Sequence, residues 1–164
     1  MKTLFIGGIK SGKSRLAEAY TLNATSALPV YLATSDIVDE EMARRIERHQ
    51  LQRSERFLTV EEPLNLAAAL QPITTPVLIE CVSMWINNML HDGFDEDDIF
   101  KQLDTMLHMQ KELIFVINDV GSGVIPDNAL ARRFVDINGI AAQQITASCD
   151  AVYHVVAGIA TRIK

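Results

Sequence analysis

Thr3-Leu4-Phe5-Ile6-Gly7-Gly8-Ile9-Lys10-Ser11-Gly12-Lys13-Ser14 is the stretch on which the reading of this chain turns. Residues 3–6 form an apolar run too short for a helix, and the eight residues after it fit G-x-x-x-x-G-K-[ST] in full. A helix-length segment follows over 13–22, with Leu16, Ala19 and Tyr20 on one side. Strand, glycine-rich turn and helix in that order predict a phosphate cradle. Gly7 and Gly12 let the backbone wrap, so that successive N–H groups along Gly8, Ile9, Lys10 and Ser11 point inward at phosphate oxygens. Lys13 is expected as an exposed phosphate ligand outside the core, placing a point charge near the β- and γ-phosphates. The Ser14 hydroxyl is expected to ligate Mg²⁺. The motif specifies a nucleoside triphosphate without saying which one.

Four further apolar runs, over 30–33, 77–82, 113–118 and 151–157, repeat the character of the first. Each is short, rich in Val, Ile, Leu or aromatic residues, and bounded by turn formers, which reads as strands buried on both faces of a parallel sheet. Helix-length segments lie between them. One over 38–53 is strongly charged and carries Met42 and Ile46 four apart, and one over 95–111 repeats Ile99, Leu103, Met106 and Leu107. A third starts after Pro126 with Asp127 as its expected N-cap and continues through Leu130, Phe134 and Ile137. Strands alternating with helices predict an α/β fold, P-loop nucleoside triphosphate hydrolase-like, with a mostly parallel sheet flanked by helices in one domain over 1–164. The acidic run 92–98 is expected as a solvated loop leading into a helix.

Composition limits what such a fold can be used for. A formal net charge of −6 argues against nucleic acid as a partner, although local positive groups can still hold a phosphate. Two cysteines, Cys81 and Cys149, are too few for a disulfide framework or a tetrahedral zinc site, and a reducing cytoplasm is the expected setting. No export signal or membrane-spanning stretch is evident.

A magnesium site of this type calls for a carboxylate at the end of a neighbouring buried strand. Glu80, inside Val77-Leu78-Ile79-Glu80-Cys81, is one candidate, the alternative being a Glu that pairs with a lysine or caps a loop. Asp119 follows the run 113–118 and precedes Val120-Gly121-Ser122-Gly123, which makes it a second candidate for the same cluster. Ligands of parallel α/β sheets gather at the carboxyl ends of strands, where Gly7, Thr34, Glu80 and Asp119 are all expected. Arg45, His49 and Arg53 are spaced four apart. On a helix they share one face, either as a solvated charged stripe or as a neutral imidazole set between two guanidinium groups to attack a phosphorus. His91, His108 and His154 show no metal-ligand spacing and read as surface or packing histidines. On these residues alone the chain binds a nucleoside triphosphate, as a P-loop kinase of some small alcohol or as a non-catalytic nucleotide-binding module.

Several segments, taken in order, resemble one family: the bifunctional adenosylcobinamide kinase / adenosylcobinamide-phosphate guanylyltransferases of cobalamin biosynthesis. They are the loop Gly7 to Ser14, Tyr31-Leu32-Ala33-Thr34, Glu41-Met42-x-x-Arg45-Ile46-x-x-His49, Thr59-Val60-Glu61 and Leu78-Ile79-Glu80-Cys81. Val124-Ile125-Pro126-Asp127-Asn128-x-Leu130-Ala131-Arg132-x-Phe134-x-Asp136 and Val155-Val156-Ala157-Gly158-Ile159 complete the set. The resemblance implies a homotrimer that phosphorylates the aminopropanol hydroxyl of adenosylcobinamide with ATP or GTP. It also implies transfer of GMP from GTP to adenosylcobinamide phosphate through a covalent guanylyl-histidine, which falls on His49. Nucleotide contacts are implied at the P-loop, at Leu32, Ala33 and Thr34, at Gln50, Leu51, Gln52 and Arg53, and at Glu61 and Glu80. Glu61 suits the role, since a carboxylate accepts two N–H groups from a guanine edge that adenine lacks. The chain departs from the family pattern at Asp119, where Glu is usual, and at Ser54, Val135 and Ala142, where Pro, Arg and Asn are usual.

Overall fold

The computed structural model describes residues 1–35 and 55–164. The helix expected over 38–53 lies outside them. Seven strands form one sheet: β1 (Lys2–Gly7), β2 (Val30–Ala33), β3 (Leu58–Glu61), β4 (Val77–Glu80), β5 (Leu113–Asn118), β6 (Ala151–Val156) and β7 (Ile159–Arg162). Their order is β3-β2-β4-β5-β1-β6-β7. Every pairing is parallel except β6 with β7, so the α/β class and mostly parallel sheet follow the sequence pattern. Among the described residues the helices are α1 (Lys13–Ala24), α2 (Leu66–Leu70), α3 (Val82–His91), α4 (Glu96–His108) and α5 (Ala129–Ser148).

The sheet is buried on both faces because consecutive strand residues point into different cores. Leu113, Phe115 and Ile117 of β5 pack with Trp85, Ile99, Leu103, Ile137 and Ala141, so α3, α4 and α5 cover one face. Ile114 and Val116 point the other way, to Phe5, Ala17 and Val155, where α1 packs. Trp85, fully buried, meets its one polar requirement by donating Nε1–H to the Leu64 carbonyl at 2.9 Å. No helix among the described residues is long and apolar enough to cross a membrane.

Several boundaries differ from the sequence reading. The apolar run 77–82 is not all strand: β4 stops at Glu80, and Cys81 caps α3, its Sγ accepting the Met84 N–H at 3.4 Å. Half of the acidic run belongs to α4. Asp95 is the N-cap and exchanges bonds with Asp98 in a capping box, and Glu96, Asp97 and Asp98 fill the first turn, where the helix dipole favours negative charge. The cap of α5 is Asn128, whose Oδ1 accepts the Ala131 N–H at 2.7 Å, one residue later than expected. The final run ends at Val156, because Ala157 and Gly158 both take positive φ and turn the chain back as β7.

Candidate functional site

Register brings the carboxyl ends of the central strands to one edge. Gly7 of β1 stands opposite Asn118 of β5 and Val155 of β6, and Glu80 of β4 opposite Ala33 of β2. The loop leaving β1 wraps tightly there. Lys10 and Gly12 adopt positive φ, of 58° and 95°, and the Ser11 N–H donates to the Gly8 carbonyl at 3.2 Å. Gly12 then caps α1, whose unpaired N–H groups face the same space, an arrangement suited to an anion.

The loop is held from behind by the turn between β6 and β7. The Gly158 N–H donates to the Ser11 carbonyl at 2.7 Å. A Cβ on Gly12 would sit 3.1 Å from the Gly158 Cα, and one on Gly7 would run into the Val155 carbonyl oxygen. Glycine is therefore required at Gly7 by close backbone approach, and at Gly12 by close approach and by its positive φ. The Ala157-Gly158 turn is a part of the site that motif reading missed. Its sequence signal, a glycine after an apolar run, marks a turn without saying what the turn touches.

Lys13 is not exposed, as the sequence reading expected; it is 6% exposed, and its Nζ donates to the Gly8 carbonyl at 3.1 Å across the mouth of the loop. In that position the ammonium closes the cradle it would share with phosphate oxygens. Next to it the Ser14 hydroxyl donates to Glu80 Oε1 at 2.7 Å, which joins the first turn of α1 to the end of β4. Burial pushes the Cys81 thiol up to about 12, with the Glu80 charge raising it further and Lys13 opposing. Cys81 is thus held as a thiol and is no nucleophile at neutral pH.

Thr34 lies at the same edge but faces inward. It is fully buried, its Oγ1 donates to the Cys81 carbonyl and accepts the Cys81 N–H at 2.9 Å each, and its own carbonyl accepts from Asn88 Nδ2 at 2.7 Å. It fixes the Glu80-Cys81 junction. Leu32 is fully buried in the core beneath it, and Ala33 ends β2 beside Glu80. Glu61 stands exposed at the end of β3, the edge strand, in register with Ala33.

Asp119 is tied to the phosphate loop through its backbone, its N–H donating to the Gly7 carbonyl at 3.0 Å, while its carboxylate accepts the Ser122 hydroxyl at 2.7 Å. Asn118 before it is anchored by Ser83 Oγ, which accepts its N–H, and by Asn138 Nδ2, which donates to its carbonyl, both at 2.9 Å. Among the described residues no three His, Cys, Asp or Glu side chains gather as a metal cluster. The donors offered to a cation are the Ser14 hydroxyl and the Glu80 carboxylate, two hard oxygens 2.7 Å apart. That is near the ~2.9 Å between adjacent ligand oxygens of octahedral Mg²⁺, which keeps waters and phosphate oxygens as its other ligands. Arg45, His49, Gln50, Leu51, Gln52 and Arg53 lie outside the described residues.

Comparison with known proteins adds an independent line. The family model for cobinamide kinase / cobinamide phosphate guanyltransferase matches residues 3–163. The bifunctional adenosylcobalamin biosynthesis protein CobU of Escherichia coli is 38% identical, with 100% of both chains covered. Its counterpart CobP of Pseudomonas aeruginosa is 39% identical over 100% of this chain and 98% of the relative. CobU of Salmonella typhimurium is 34% identical, again with 100% of both covered. Among solved structures, the flagellar accessory protein FlaH from Methanocaldococcus jannaschii aligns at TM-score 0.51 and 14% identity, over 99% of this chain and 77% of that one. An ATPase of a bacterial type III secretion system aligns at TM-score 0.54 and 16% identity, over 93% and 50%. At such identities these two structures speak for the fold alone.

Proposed function

The chain belongs to the cobinamide kinase / cobinamide phosphate guanyltransferase family, and from that footing we propose how its residues divide the two reactions. It is a bifunctional enzyme of adenosylcobalamin biosynthesis, phosphorylating cobinamide and transferring GMP from GTP to cobinamide phosphate. The observation that supports the phosphate site is the contact of Ser14 with Glu80 beside a Lys13 folded over its own loop. The α1 N-terminus, the loop N–H groups and Lys13 hold the β- and γ-phosphates of ATP or GTP. Ser14 and Glu80 would hold Mg²⁺, with Asp119 near it at the end of the adjacent strand. When bound, the ion neutralises charge developing on the phosphoryl oxygens.

In the kinase step the acceptor hydroxyl oxygen bonds to the γ-phosphorus as the bond to the β–γ bridging oxygen breaks. The nucleoside diphosphate leaves, and the hydroxyl proton passes to solvent. In the transferase step the imidazole of His49 attacks the α-phosphorus of GTP and pyrophosphate departs. A phosphate oxygen of cobinamide phosphate then displaces the histidine nitrogen, giving GDP-cobinamide. Arg45 and Arg53, each four residues from His49, neutralise the chain under attack. Ala33 and Gln50 to Arg53 line the nucleotide, while the buried Leu32 and Thr34 only support that edge from within, and Glu61 reads the guanine edge, so that GTP is selected in this step. The working assembly is a homotrimer in the cytoplasm.

The test is product analysis. Purified protein with cobinamide, ATP and Mg²⁺ should yield cobinamide phosphate, and GTP should then convert this to GDP-cobinamide with release of pyrophosphate. Nucleotide hydrolysis with the acceptor recovered unmodified would contradict the assignment.

A further inference from the structure

The loop leaving β5 and the first turns of α5 enclose a pocket of about 140 Å³, walled by Val120, Val124, Ile125 and Val135 and edged by Arg132 and Asp136. Its walls are apolar yet turned to water: Val124 is 95% and Ile125 79% exposed. The shape is nevertheless held. Arg132 Nη1 donates to the carbonyls of Pro126 at 3.0 Å and Asp127 at 2.7 Å, fixing the far end of the loop to the helix. The near end is fixed by the bonds of Asn118 to Ser83 and Asn138, and of Asp119 to Gly7. Because Arg132 is turned to those carbonyls, Asp136, four residues further along α5, has no hydrogen-bond or ion-pair partner among the described residues.

Position, size and charge together select a ligand. β5 lies between β4 and β1, so its loop begins where the γ-end of a nucleotide in the Gly7-to-Ser14 cradle, flanked by Ser14 and Glu80, must receive its acceptor. The pocket is well under the ~300 Å³ at which sites begin to enclose a drug-sized molecule, so a macrocycle stays outside and only an arm enters. Asp136, with the Arg132 Nη1 engaged elsewhere, disfavours an anion and suits a neutral group bearing N–H or O–H. We propose that this pocket is the acceptor subsite of the kinase and takes the hydroxyl-bearing, amide-linked arm of cobinamide. Val120, Val124, Ile125 and Val135 pack its methylenes, and Asp136 accepts its N–H. This rests on the kinase reading above.

Two substitutions in the full chain test it from opposite sides. Gly121 has no positive φ, and a Cβ there would lie 4.0 Å from Val135 Cγ1, an ordinary contact. Gly121→Leu therefore fills the pocket without straining the backbone, whereas Asp136→Asn leaves its shape and removes its charge. Steady-state kinase assays at saturating ATP and Mg²⁺ give KM for cobinamide, and titration with a fluorescent GTP analogue without acceptor gives the nucleotide Kd. Filling the pocket is expected to raise KM for cobinamide by about tenfold or more, and loss of the charged acceptor by ~3–10-fold. Nucleotide Kd should stay within about twofold in both, since no phosphate-loop residue changes. An unchanged KM in both variants overturns the subsite, whatever happens to oligomeric state. A wild-type protein inert toward cobinamide removes the kinase reading and the subsite with it, and it is recognised before any variant is compared.

Discussion

Two loops leave neighbouring strands at the same edge of the sheet and are built in opposite ways. The loop after β1 is bonded within itself, backed by the Gly158 turn, and closed by a lysine that is itself buried. The loop after β5 is pinned to its neighbours at its ends, has a single side-chain bond of its own from Ser122 to Asp119, and presents Val124 and Ile125 to solvent. The first grips phosphates, whose geometry is the same in every nucleotide, and can be rigid before it binds. The second, as the proposed acceptor subsite, would face a large partner of which only part can be enclosed, and it leaves apolar surface available. Damage to the first should remove chemistry, and damage to the second should weaken affinity for one substrate.

The largest expected effect is on the rigid side. Lys13→Ala should lower kinase kcat by on the order of 10²–10³-fold with the fold intact, as loss of one preorganised phosphate ligand does elsewhere. Circular dichroism and ATP turnover read the two quantities separately, and full turnover in the variant would remove this loop from the phosphate site. Next comes Glu80→Gln, which keeps a hydrogen-bond acceptor for Ser14 but loses the charge. Activity should drop by roughly 10–100-fold, with a raised Mg²⁺ requirement as the diagnostic readout. An unaltered Mg²⁺ titration would return Glu80 to a purely structural part.

Gly158→Val probes the support behind the loop. It places a β-branched residue at φ 82°, about 1–3 kcal/mol of strain, at the residue whose N–H donates to the Ser11 carbonyl at 2.7 Å. Weaker ATP binding and lower thermal stability should appear together, with KM for cobinamide little altered. If nucleotide affinity survives the substitution, the turn does not shape the cradle.

The smallest effect concerns pH. Burial is the main cause that raises the thiols of both Cys81 and Cys149 from 9.0 to about 12. The folded chain keeps these protons while the unfolded chain loses them, so the stabilisation is complete below pH 9 and disappears as pH climbs toward 12. Melting temperatures between pH 8 and 11 should fall, and the slope should flatten in a Cys81→Ser/Cys149→Ala variant. Identical slopes in both proteins would assign the alkaline loss to other groups.

What could be read in advance depended on whether a feature is local. β2 and β5 were legible to the residue, because a strand buried on both faces is an unbroken apolar run. β3 and β7 were not, since Leu58 and Ile159 lie at exposed edges and their strands mix apolar with polar residues. α3 was hidden because the apolar run continues from β4 across the junction, and a cysteine cap carries no sequence signal of its own. The phosphate loop was plain, as its chemistry demands particular residue types at fixed spacing. The Gly158 support, the inward turn of Thr34 and the burial of Lys13 arise from contacts between distant segments, which no local pattern encodes.

In the proposed mechanism one phosphate site serves two transfers, with GMP held on His49 between them. Incubating the protein with [α-³²P]GTP and Mg²⁺, then mapping the labelled peptide, tests it most directly. One acid-labile, base-stable GMP adduct is expected on His49, absent from His49→Ala, which still phosphorylates cobinamide. Label on Lys13, on His154 or on no residue at all would contradict it.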